Sequence, residues 1–176
     1  MNMKNTMFPK KPTLFYALFI AFAFVNAQEN EKKALPSCEI KNMDGETINI
    51  LNYAQNGKIT VFSFWATWCK PCIKELNNVA DHAEAWAETY NVEVVAVSID
   101  DSRNIQRVKP LVNGLGWDYD ILLDPNGDLQ RKMNVTNPPV TFLVDLEGNI
   151  VYTHTGYLEG DEYELEDEIK KLIHKE

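Results

Sequence analysis

Seven residues, Ile59 to Trp65, form a near-continuous apolar run of strand length, and a helical repeat begins only a few residues later. Such a run is the pattern of a central strand covered on both faces. Beyond it Ile73, Leu76, Val79, Ala80, Ala83 and Ala87 recur at three- and four-residue steps, predicting a helix over 71–90 with Pro71 tolerated in its first turn. Val92 to Ile99 is a second buried strand. Cys69-Lys70-Pro71-Cys72 therefore falls where the first strand ends and the long helix begins.

The rest of the chain fits around this unit. Short alternating stretches between Cys38 and Ile50 flank Met43-Asp44-Gly45-Glu46, where Asp-Gly signals a tight hairpin. Residues 103–115 read as a helix that Pro110 should kink or divide. A short strand over 119–123 precedes a turn at Asp124-Pro125-Asn126-Gly127-Asp128, whose acidic spacing does not fit a calcium loop. A brief helix over 129–133 leads to Asn137-Pro138-Pro139, then strands over 140–144 and 150–154, and a closing helix over 161–174. The fold class is α/β, a mixed central sheet flanked by helices on both faces. Residues 28–36 read as a flexible leader and residues 37–176 as the domain.

Lys4, Lys10 and Lys11 precede an apolar run from Leu14 to Val25 that ends in Val25-Asn26-Ala27, the pattern of a secretory signal peptide over 1–27. The alternative is an uncleaved membrane anchor, but those residues rise only ~18 Å as a helix against a hydrocarbon core of ~30 Å. An exported, periplasmic protein is expected. Cys38 lies too far beyond the apolar run to carry a lipid. The formal charge of −9 falls to −12 once those three lysines are set aside, and so acidic a surface repels phosphate backbones and anionic lipid. Nucleic acid is not an expected partner.

Three cysteines always leave one over, so the chain has no disulfide framework and their value should be chemical. Two cysteines three apart at a helix start lie on one side of the first turn, within reach of a disulfide, with the first facing outward. The positive end of the helix stabilises a thiolate there, and Lys70 adds a cation. Cys69 is thus the candidate nucleophile and Cys72 the more buried resolving thiol, while Pro71 fixes the turn. Other readings of the pair stay open. Zinc would need four ligands, and the chain adds only Cys38, His82, His154 and His174, with no second close pair. A purely structural disulfide would close too short a loop to constrain the unfolded chain much. Haem attachment fails because Ile73 stands where a histidine is needed.

The stretch Phe64-Trp65-Ala66-Thr67-Trp68-Cys69-Lys70-Pro71-Cys72 resembles the active-site segment of the thioredoxin superfamily. More narrowly, Pro36 to Ile173 resembles the TlpA/ResA-like thiol–disulfide oxidoreductases. The leading hairpin, the extra helix and strand after Ile99, and Pro139-Val140-Thr141-Phe142 followed by Asp145-Leu146-Glu147-Gly148 carry that likeness. The resemblance implies a thioredoxin-like fold and no cofactor or metal beyond the redox-active Cys69–Cys72 pair. It also implies that Pro139 is the family's cis-proline, in a loop that faces the cysteines and leaves neighbouring backbone groups for an incoming chain. Glu75 matches an acidic residue that tunes the thiols, although a solvated helix-surface glutamate fits the sequence equally well. Ser63 stands where cytoplasmic thioredoxins carry a buried acid. Proton transfer to Cys72 is then left to Glu75 or to water.

The function expected is an extracytoplasmic reductase of specific protein disulfides, apocytochrome c cysteines being typical of the family. A membrane thiol reductant would supply the electrons, and a monomer is expected. An oxidase or isomerase of folding proteins, or a binding module that uses the pair only for contact, are the alternatives. A peroxiredoxin-type peroxidase expects threonine three residues before its reactive cysteine, where this chain has Ala66. Trp68 is expected beside Cys69, shaping the partner surface or packing in the core. Cys38 reads as a small buried residue, and His82 and His154 as ordinary histidines that nothing pairs with. The acidic stretch from Glu159 to Glu168 reads as a solvated helix start.

Overall fold

A computed structural model describes residues 33–174. The span 1–27 read as a signal peptide and most of the span read as a leader lie outside the described residues. The strands are β1 (Lys33–Ala34), β2 (Glu39–Asn42), β3 (Thr47–Asn49), β4 (Ile59–Trp65), β5 (Val92–Ser98), β6 (Asp120–Leu123), β7 (Val140–Val144) and β8 (Asn149–Thr155). The α-helices are α1 (Lys70–Tyr90), α2 (Val108–Leu115), α3 (Asp128–Lys132) and α4 (Asp161–Ile173). All the strands join in one sheet of order β1-β8-β7-β4-β5-β6-β2-β3.

The central strands β4, β5 and β6 are parallel, and each crossover between them carries a helix, α1 and then α2. Every residue of β4 is buried. Its alternation sends Phe62 and Phe64 to one face, where they pack with Val95, Val97, Phe142 and the α3 residue Leu129. Val61 and Trp65 point to the other. There α1 lays Val79 and Trp86, and α4 lays Leu165 and Ile169, against Val61, Val94 and Leu143. Burying each of these large side chains is worth about 1.5–3 kcal/mol, so the apolar strands and the helical stripe hold each other in place.

Local chemistry sets the ends of the elements. Asn91 closes α1 in the left-handed conformation at φ 53°, its N–H donating to the Trp86 carbonyl. The leading hairpin turns on Asn42, whose side-chain oxygen accepts from the N–H groups of Asp44 and Glu46. Asp124 is buried, and its carboxylate accepts from the N–H groups of Asp128 and Gln130, so the acidic turn caps α3.

Two expectations differ from the structure. The span 103–115 is a 3-10 turn over Ile105–Arg107 followed by α2, so the division comes before Pro110. Pro110 instead takes the third position of α2, where a backbone N–H would have no partner within the helix. The sheet also begins inside the span read as a leader. Lys33 and Ala34 pair with Ile150 and Asn149 on β8, and Leu35 is buried in the core. A two-residue polar edge strand carries no periodicity, so only its partner reveals it.

Candidate active site

Strand β4 delivers the chain to the motif and β5 clamps it there. The carboxylate of Asp100, just past β5 and fully buried, accepts from the Thr67 N–H at 2.8 Å, the Thr67 hydroxyl at 2.6 Å and the Ser98 hydroxyl at 2.9 Å. The Cys69 N–H donates to the Ala66 carbonyl at 3.0 Å, closing the turn. Sequence reasoning missed Asp100; the available signal was an acid directly after a buried strand, with serine two residues before it.

Cys69 is the N-cap of α1, and its Sγ accepts from the Cys72 N–H at 3.3 Å. Cys69 and Cys72 form a disulfide with a Cα–Cα separation of 5.3 Å. Lys70 and Pro71 occupy the first two helical positions and are exposed. Cys72 is wholly buried while Cys69 keeps 5% of its surface, a narrower opening than an outward-facing first cysteine implied. The inner side of the pair packs on Trp65, Leu76, Val108 and Trp117. Trp68 is not core, being 59% exposed.

One turn beyond Cys72, Glu75 is turned into the protein and 5% exposed, which excludes the solvated-surface alternative. Its carboxyl accepts from the Thr141 hydroxyl at 2.6 Å and from the Ser63 hydroxyl at 3.3 Å. Burial pushes its pKa up to about 7, against the pull of those two hydrogen bonds and of His154. Ser63 thus supports a buried acid supplied by the helix.

The Pro138–Pro139 peptide bond is cis. Val140, directly after it, pairs with Phe64 near the end of β4, which brings the Pro139 loop to the end of the sheet that carries the cysteines. The Pro139 carbonyl accepts from the Gly156 N–H at 2.9 Å, so that group already has a partner within the protein.

The histidines do have partners. His154 Nε2 lies 3.0 Å from Asp161 Oδ2 and its Nδ1 3.3 Å from the Tyr152 hydroxyl, while His82 stacks on Trp86. The acidic stretch is not wholly solvated either, since Glu162 is buried and accepts from the Tyr157 hydroxyl at 2.8 Å. Cys38 is buried and free. Among the described residues no group of three or more His, Cys, Asp or Glu side chains could hold a metal ion.

A dithiol–disulfide pair capping the first crossover helix of this sheet defines a thiol–disulfide oxidoreductase of thioredoxin-like fold. The chain belongs to the AhpC/TSA family, whose model matches residues 32–153. It is 31% identical to sporulation thiol-disulfide oxidoreductase A of Bacillus subtilis over 139 residues, covering 77% of this chain and 82% of that one. It is 27% identical to thiol-disulfide oxidoreductase ResA of the same organism over 143 residues, covering 81% and 77%. Among solved structures, a thioredoxin-like protein from Porphyromonas gingivalis is 44% identical with a TM-score of 0.72, covering 82% of this chain and 95% of that one. The crystal structure of StoA from Bacillus subtilis is 28% identical with a TM-score of 0.62, covering 76% and 96%.

Proposed function

We propose that the protein is an extracytoplasmic reductase of specific protein disulfides, apocytochrome c cysteines among them, fed with electrons by a membrane thiol reductant. The observation that carries this reading is a nearly closed Cys69–Cys72 pair with a buried carboxyl one turn further along its helix, which favours a selected partner over general exchange. Cys69, held at the positive end of α1 with the Cys72 N–H on its sulfur, attacks the partner disulfide as a thiolate. Its sulfur bonds to one partner sulfur while the other leaves with the electron pair. Glu75 takes the proton of Cys72, which then attacks Cys69 and releases the reduced partner. Trp68, exposed next to Cys69 in the chain, and the Pro139 loop at the same end of the sheet receive the partner chain, and Lys70 and Pro71 shape the first turn.

The signal-peptide pattern of the sequence over 1–27 supports export. Among the described residues no helix is long and apolar enough to cross a membrane. The test is twofold. Cys72→Ala should trap a mixed disulfide through Cys69, and mass spectrometry of the adduct names the partner. The reduction potential of the pair should lie near about −270 mV, and one near about −120 mV would make the protein an oxidant instead.

A further inference from the structure

A row of polar side chains crosses one face of the sheet. Ser63 on β4 is the register partner of Thr141 on β7, and Thr141 is the register partner of His154 on β8. Directly paired residues share a face, so the three line up across three strands. Glu75 lies over the inner end of the row, bonded to Ser63 and Thr141. Asp161, at the start of α4, lies over the outer end, bonded to His154. A cavity of about 10 Å³ lined by Glu75, Thr141, His154, Tyr157, Asp161 and Glu162 lies along the row, with room for about one water. Exposure rises along it, from 5% for Glu75 to 28% for the His154 side chain and 22% for that of Asp161.

We propose that this row is the proton path of the active site, and that the His154–Asp161 pair exchanges with solvent the proton Glu75 takes from Cys72. The proposal rests on the reading of Glu75 as the acid–base group. When Cys72 Sγ attacks the mixed disulfide, the bond between Cys69 and the partner breaks and the Cys69–Cys72 bond forms. The electron pair leaves on the partner sulfur, and the Cys72 proton goes to the Glu75 carboxyl. The closed disulfide has no thiol to take that proton back. The Thr141 hydroxyl and the cavity lead it to the His154–Asp161 pair, and reduction of the disulfide runs the path inward.

His154 is bonded on both ring nitrogens in a way that serves either charge state. As a cation it donates from Nε2 to Asp161 and from Nδ1 to the Tyr152 hydroxyl, which itself donates to Glu164 at 3.1 Å. As a neutral ring it keeps the Asp161 bond, and the Tyr152 hydroxyl turns to donate to Nδ1. The other titratable groups facing this region are engaged elsewhere. Tyr157 donates to Glu162, which also accepts from the Gly160 N–H, and Tyr119 donates to the Leu76 carbonyl.

The experiment mixes the reduced whole protein with saturating oxidised glutathione in stopped flow and follows disulfide closure by tryptophan fluorescence between about pH 5 and about pH 9. His154→Gln should slow closure by about tenfold near neutral pH and flatten its pH profile, a share of the 10²–10⁴ typical of acid–base catalysis. Asp161→Asn should slow it as well, and added imidazole should restore part of the rate to His154→Ala. Glu75→Gln should be slow too, and adding His154→Gln to it should cost nothing further, because the two act in series. A His154→Gln profile matching the parent while Glu75→Gln is slow would overturn the path and leave the Glu75 reading standing. A fast Glu75→Gln would remove that reading and the path with it.

Discussion

Glu75 makes the stability of this protein depend on pH in an unusual direction. In the unfolded chain its carboxyl loses its proton near 4.5, whereas in the fold burial holds the proton up to about 7. Between those values the folded state binds more protons, so stability falls as pH rises; the contribution is whole below about 4.5 and gone above about 7. A gap of about 2.5 pH units at about 1.4 kcal/mol each makes the loss on the order of 3 kcal/mol. Glu75→Gln has no proton to lose. Its side-chain oxygen still accepts from Thr141, and its amide can donate to the Ser63 oxygen. The variant should match the parent at about pH 4.5 and exceed it by on the order of 3 kcal/mol at about pH 8. Urea unfolding of the oxidised protein across that range measures the difference, with the disulfide keeping Cys69 and Cys72 from titrating. A difference that stays flat with pH would mean the carboxyl titrates alike in both states, and the argument from burial would be refuted.

Asp100→Ala leaves the Thr67 N–H and two hydroxyls without their acceptor and should cost about 2–4 kcal/mol in thermal or urea unfolding; an unchanged midpoint would show that the clamp is dispensable. Trp68→Ala should change stability by less than about 0.5 kcal/mol while raising KM for a protein disulfide, and a large drop in Tm would place Trp68 in the core instead. Gly148→Ala should destabilise by about 1–3 kcal/mol, because φ is +79° and the added carbon would stand 2.7 Å from Ala54 Cβ; equal urea midpoints would contradict that geometry.

What could be read from the residues in order was what depends on neighbours in order. The runs forming β4 and β5, the three- and four-residue steps of α1, and the cysteines at their junction are local patterns, and they locate the sheet centre and the redox pair. Glu75 was ambiguous for a physical reason. A glutamate three residues after Cys72 can sit at the edge of a helix's buried stripe, and only the position of β7 decides whether it meets water or Thr141. Thr141 lies 66 residues away and His154 a further strand beyond, so register alone unites them. The β1 strand escaped notice similarly, since its partner on β8 is more than a hundred residues on.

The two buried acids beside the motif differ in what surrounds them, and that difference separates their proposed tasks. Asp100 accepts three hydrogen bonds, one from the backbone of the loop it holds, and its partners come from the loop and the end of β5. Moving it would move Cys69, so its effect should appear in stability and geometry. Glu75 accepts from two hydroxyls that can rotate and borders a cavity reaching the partly exposed His154–Asp161 pair. A carboxyl that needs only hydroxyl rotation to change protonation state suits a group that must take and return a proton in each cycle. Exchanging the two acids for their amides should therefore have opposite signatures. Asp100→Asn should shift the unfolding midpoint at every pH, while Glu75→Gln should change stability and slow closure only where the carboxyl would have ionised.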